Sequence, residues 1–305
     1  MFIASPAGPR RNYCSAPPAL RTASFALLSL IALCAIDSHA AQNEAAARED
    51  QAVQPILRRA AAFVRDLHHQ LNGVIADEAY EQSVRNPLAD AANGSRRAIR
   101  SEVLFMTLAD IPDLVFVRTV LVVNGRKVPD STERLDRLFN DPPANPSAYL
   151  MQLKQESARF NIGAVLRTTG DPAFALRFLD PKIVPRFVFT RAGVERIGVY
   201  DAVKLAFAEQ DYPTLIAVNG INVPASGDVW VNAADGTLLR TNVKVSTPDG
   251  NASVTVDFQR DARLQQWVPS RMAEVYGAGT TQETRCTATY SNYRRFDSTV
   301  RISTP

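Results

Sequence analysis

The sequence predicts an α+β fold in which a strongly curved antiparallel sheet carries helices on its concave side. Three observations predict it. From Arg186 to the end, apolar and polar residues alternate with a period of two. Turn pairs such as Asn219-Gly220 and Asp235-Gly236 interrupt that alternation at short intervals, as does Pro248-Asp249-Gly250, and short links make neighbouring strands antiparallel. A helical pattern near the start and a helical block in the middle each need a sheet surface to cover. The alternative architecture is a two-sheet sandwich with a helical side domain.

The first forty residues read as a secretory signal. Arg10, Arg11 and Arg21 precede an apolar run from Phe25 to Ile36, and Ser38-His39-Ala40 ends it with small residues at the two positions a signal peptidase reads. The run is shorter than the ~20 residues that span a bilayer. Cleavage is expected near Ala40, placing the mature chain in the periplasm or outside the cell. Removing 40 of the 305 residues leaves 31 basic and 30 acidic side chains, so the apparent basicity comes partly from the signal. That balance, with no dense Lys/Arg stripe, points away from nucleic acid.

Residues 41–54 read as a flexible leader, and 55–305 as a single β-rich domain. Ile56, Leu57, Ala60, Phe63, Val64, Leu67 and Leu71 recur at helical spacing, and Gly73 fits a helix end. Strands are expected over Val74–Val84, Ile99–Ala109 and Leu114–Val123, with a polar loop over 85–97 and a hairpin turn at Asn124-Gly125. Residues 130–183 read as a helical insert. Its first helix carries Leu135, Leu138 and Phe139, and its second opens at Asn145-Pro146-Ser147 with Tyr149, Leu150, Leu153 and Phe160 apolar. A third short helix covers Pro172–Leu179. Strands then carry Phe187 and Phe189; Val203, Leu205 and Phe207; Val229 and Val231 around Trp230; and Val254, Val256 and Phe258.

Reactive chemistry is sparse. Cys14 and Cys34 leave with the signal, so Cys286 has no internal disulfide partner and reads as a buried strand residue. His68 and His69 are adjacent on a helix and diverge by about 100°, so no zinc site is expected. There is no Gly-x-Ser-x-Gly elbow and no phosphate-cradling glycine loop. Asp77, Glu78 and Glu81 read as surface charges. No cofactor, metal or catalytic residue is assigned.

Gly227-Asp228-Val229-Trp230-Val231-Asn232 and the following Asp235-Gly236-Thr237-Leu238-Leu239-Arg240 resemble a hairpin that recurs in uncharacterised secreted bacterial proteins; those proteins usually have Asp where this chain has Asn232. Tyr290-Ser291-Asn292-Tyr293-Arg294-Arg295-Phe296 is similar to their last strand, and Ser157-Ala158-Arg159-Phe160-Asn161-Ile162-Gly163 also resembles them. More distantly, residues 186–297 resemble the half-open β-barrels of LolA-like periplasmic lipoprotein carriers. That resemblance implies an apolar cavity under a helical lid, a lipid or lipoprotein ligand, and peripheral association with the envelope. It makes Phe105, Phe187, Phe189, Phe207, Trp230 and Phe258 the candidate apolar ligand-binding residues. The alternatives are a structural or interaction module without a cavity, or a hydrolase using carboxylates or Cys286.

Overall fold

The computed structural model describes residues 51–86, 94–108, 111–129, 145–163, 170–218, 220–247 and 250–296. The expected signal, the leader up to residue 50, and the helix expected after Asp130 lie outside the described residues. A helix, α1, spans residues 51–71, so helical structure is already present four residues before Pro55, and Val53 is fully buried.

The strands are β1 (Val74–Arg85), β2 (Ser95–Leu108), β3 (Ile111–Val123), β4 (Arg126–Lys127), β5 (Phe187–Ile197), β6 (Tyr200–Glu209), β7 (Ile216–Val218), β8 (Ile221–Val223), β9 (Ala225–Asn232), β10 (Leu238–Thr247), β11 (Gly250–Arg260), β12 (Trp267–Ala278) and β13 (Glu283–Arg295). Eleven form one sheet in the order β4-β3-β2-β1-β13-β12-β11-β10-β9-β6-β5, and β7 and β8 make a separate hairpin. One continuous ladder replaces the alternative of two stacked sheets. Every pairing is antiparallel, and β1 pairs with β13, so the two ends of the domain meet in mid-sheet. Among the described residues β4 and β5 pair on one side only, so the sheet is not closed. The expected polar loop over 85–97 is shorter, because β2 starts at Ser95.

Alternation sorts the residues of this sheet onto two faces. Val74, Ala76 and Tyr80 of β1, Val103 and Phe105 of β2, and Leu114 and Phe116 of β3 share the main apolar cluster with Leu205, Val229, Val256 and Tyr290. Helix α1 covers that face with Val53, Leu57, Ala60, Val64, Leu67 and Leu71. Each of these Val and Leu side chains contributes about 1.5–3 kcal/mol on leaving water. The helix end is fixed by backbone: Gly73 N–H donates to Phe105 O at 2.9 Å, and Phe296 N–H donates to Gly73 O at 2.7 Å.

The expectation put every helix on one face, and α2 (Pro146–Ala158) departs from it. Asn145 caps this helix by accepting from Ala148 N–H at 3.0 Å. Its Leu150 and Leu153 pack with Ile75, Leu104, Val115 and Val117, which point away from the main cluster. The third short helix is a 3-10 turn, Phe174–Leu179, and a second such turn follows at Val184–Arg186.

The β9–β10 hairpin explains the sequence motif found there. Asn232 Oδ1 accepts from Ala234 N–H at 3.1 Å and Asp235 Oδ1 from Thr237 N–H at 2.9 Å, so Asn232 supplies the acceptor that Asp would. Gly236 has φ +83°, and a Cβ there would lie 2.5 Å from the backbone carbon of Arg59 in α1. Gly236→Ala is therefore expected to cost more than the ~1–3 kcal/mol of backbone strain alone. Gly198→Ala is the control, since φ is +58° there with open space around the Cβ position. Chemical denaturation of both variants should show the larger loss at Gly236; equal losses would remove the contact with α1 from the explanation.

Candidate functional site

Three of the candidate phenylalanines meet at one end of the sheet. Phe187 and Phe189 of β5 and Phe207 of β6 point into the main cluster, with exposures of 8% or less. The 3-10 turn drops Phe178 onto them, with ring centroids 5.3 Å from Phe187 and 5.5 Å from Phe207. Phe187 and Phe207 meet edge to face at 5.7 Å. Leu176 and Leu179 of the same turn are fully buried. The segment 171–186 that carries the turn is held at both ends. Asp171 Oδ1 accepts from Ala173 N–H at 2.8 Å, and Gln210 N–H donates to Arg186 O at 2.8 Å. Phe105 and Phe258 belong to the same apolar cluster but lie on β2 and β11; Phe105 packs edge-on to Phe116 at 5.5 Å.

Trp230 is the exception among the six. It lies on the opposite face, with Ala202 and Leu239, because its neighbours Val229 and Val231 occupy the main cluster. Its indole N–H donates to Glu195 at 2.8 Å, and Lys204 and Arg240 sit 4.9 and 5.7 Å from its ring. The structure therefore separates Trp230 from the other five rings.

A buried polar cluster lies at the other end of the main face. Glu78 is not a surface charge, as expected from its residue type; it is 1% exposed. Arg118 of β3 reaches over β2 and donates to both Glu78 carboxylate oxygens, at 2.5 and 2.7 Å. Its guanidinium stacks 4.6 Å from the Tyr80 ring centre and donates to Gly170 O at 3.3 Å. Burial works most strongly against the charge on Arg118, but the attraction and hydrogen bonds of the Glu78 carboxylate, together with Tyr80 and Tyr290, raise the guanidinium pKa further. Beside this pair, Glu274 accepts from Tyr80 at 2.7 Å and from Tyr276 at 2.6 Å. Under the end of α2, Arg118, Phe116, Lys154 and Asp171 line a cavity of about 20 Å³, room for one water. Burial raises the Asp171 pKa.

The sequence reading missed this cluster, although strand parity carried a signal: Glu78 falls in register with Ala76 and Tyr80, and Arg118 with Phe116 and Val120. Asp77 and Glu81, by contrast, lie on the opposite face from Glu78. Cys286 is buried on β13. Among the described residues no group of three or more His, Cys, Asp or Glu could hold a metal. No helix among them is long and apolar enough to cross a membrane.

No protein-family model matches the chain, and no curated protein matches it. Similar solved structures do exist. A domain assigned as an outer membrane lipoprotein-sorting protein, from Vibrio parahaemolyticus, is 11% identical with a TM-score of 0.37, covering 79% of this chain and 92% of that one. A DUF1329 family protein from Desulfovibrio piger is 10% identical with a TM-score of 0.33, covering 81% and 95%. A LolA-superfamily protein from Nitrosomonas europaea is 11% identical with a TM-score of 0.30, covering 80% and 93%. The LolA-like resemblance read from the C-terminal strands thus recurs among solved structures, and it is distant. At these TM-scores nothing about ligand or partner passes from those proteins to this chain.

The margin of β13 gives a pH-dependent prediction. Glu283 accepts from Arg285 at 2.6 Å and from Arg85 at 2.9 Å, and these hydrogen bonds, Arg285 first, hold its carboxyl below the usual glutamate range. A depressed carboxylate adds stability that is present above the unfolded-state value of about 4.3 and lost as pH falls through the folded value. Glu283→Gln should therefore be less stable than the parent at neutral pH and converge with it in acid. Parallel urea titrations at pH 7 and pH 3 measure this, and a constant difference would contradict it.

Proposed function

We propose that this chain is an exported, non-catalytic binding protein that holds a lipid, an acyl chain or an apolar protein segment in a half-open barrel. In this reading the sheet curves around the main cluster, and α1 and residues 171–186 cover its concave side. The observation that carries the proposal is the phenylalanine nest, which among the described residues is roofed by one 3-10 turn rather than by a full helix or a second sheet. A short segment held at its ends by a few hydrogen bonds can move as a unit, exposing rings that an apolar ligand would then cover at about 25 cal/mol per Å². The polar requirement of such a site is small.

Removal of residues 1–40 on export and a periplasmic or secreted location belong to the same reading. N-terminal sequencing of the mature protein is expected to begin at Ala41. The functional test is titration of the mature protein with a fluorescent fatty acid. Saturable binding in the micromolar range is expected, and its absence favours the second reading, a structural module of the envelope. The observation favouring that module is that Phe178, Phe187, Phe189 and Phe207 already fill one another's space, at centroid distances of 5.3–6.2 Å.

A further inference from the structure

The end of the sheet formed by β1–β4 and β13 concentrates positive charge around two adjoining clefts. The first, about 490 Å³, is lined by Ser83, Arg96, Arg97, Asn124, Arg285 and Thr287, with Glu81 as its one acidic residue. The second, about 640 Å³, shares Asn124 and adds Arg126, Lys127, Val128, Pro129 and Phe160. Arg96, Arg126, Lys127 and Arg285 are exposed. The nearby Glu283 is already engaged by Arg85 and Arg285. Arg96, Arg126 and Lys127 make no ion pair with any described residue. Five cations and one acid thus line the two clefts.

The two clefts differ in chemistry and meet at a fixed point. The first offers guanidinium forks with hydroxyl and amide groups, the donor set that recognises phosphate or carboxylate. The second has an apolar wall, and its Val128 and Phe160, with the adjacent Val123, pack against the main apolar cluster. Between them the Phe160 carbonyl accepts from Gln82 at 3.2 Å and from Arg97 at 2.9 Å, which sets the Phe160 backbone at the junction. A cationic cleft beside one with an apolar wall fits a molecule that is anionic at one end and apolar along the rest.

We infer that this rim binds the head group of an anionic lipid and directs its acyl chain past Phe160 toward the main cluster. The inference rests on the proposed apolar-ligand reading and adds the head-group class. It gives Arg96, Arg126 and Lys127 a common role: they hold charge that no ion pair among the described residues balances, for an anion that arrives with the ligand. Attraction of this kind is screened by salt.

The experiment compares lysophosphatidylglycerol with lysophosphatidylcholine of the same acyl chain, both below their micelle-forming concentrations, on the mature protein. About tenfold tighter binding of the anionic lipid is expected at low salt, shrinking at 0.5 M salt. The variant Arg96→Gln/Arg126→Gln/Lys127→Gln changes only exposed side chains. It is expected to bind both lipids with the affinity the parent has for the zwitterionic one. Arg196→Gln, an exposed arginine on β5 at the far edge, should retain the preference. Equal affinity of the parent for both lipids, or a preference that survives the triple variant, overturns the head-group assignment alone. Failure to bind either lipid overturns the binding-protein reading and this inference with it.

Discussion

Glu78→Leu is expected to destabilise the fold by about 3–5 kcal/mol, because it strands the Arg118 guanidinium in the core without its counter-charge. Arg118→Met is expected to cost as much by leaving Glu78 unpaired. The double variant Glu78→Leu/Arg118→Met should recover most of the loss, since replacing a buried pair by apolar groups of similar volume is close to neutral. Urea unfolding of the three variants forms a cycle that isolates the pair. Single-variant losses under about 1 kcal/mol would mean that water reaches Arg118 freely, contrary to its 9% exposure. The pair joins β1 to β3 and contacts Gly170 at the start of the covering segment, so hydrogen exchange over 170–186 should rise with the same variants.

Phe178→Ala is the second large effect. Truncating a ring that is 1% exposed and in contact with Phe187 and Phe207 is expected to cost about 3–5 kcal/mol. It also empties a ring-sized volume beneath the 3-10 turn. If ligand and Phe178 compete for that volume, the variant binds a fluorescent fatty acid more tightly than the parent while melting earlier. Lower stability with unchanged affinity would show that the nest is only core.

Much of this architecture was legible in the residues, for local reasons. The Asn124-Gly125 turn was readable because both positions take positive φ, +49° and +80°, which few other residues accept. Phe187, Phe189 and Phe207 were readable because alternation fixes a face once one face is apolar. The same rule applied to β9 sets Trp230 opposite Val229 and Val231; grouping it with the other rings followed residue type over parity. Helix α2 could not be placed in advance, because its periodicity shows which side is apolar but not which face of the sheet receives it. Glu78 and Arg118 are 40 residues apart and joined only by the tertiary fold. Composition favours a solvated charge at each position, and only register on the strands argues otherwise. The rim cations were invisible as a group for the same reason, since β1, β2, β4 and β13 bring them together from distant parts of the chain.

Titration calorimetry of the mature chain with a monomeric lysolipid, repeated at several temperatures, bears most directly on whether an apolar ligand enters between the sheet and its cover. One saturable site with a negative heat-capacity change is expected, the signature of apolar surface leaving water. A flat titration, or binding whose heat does not vary with temperature, would contradict the account.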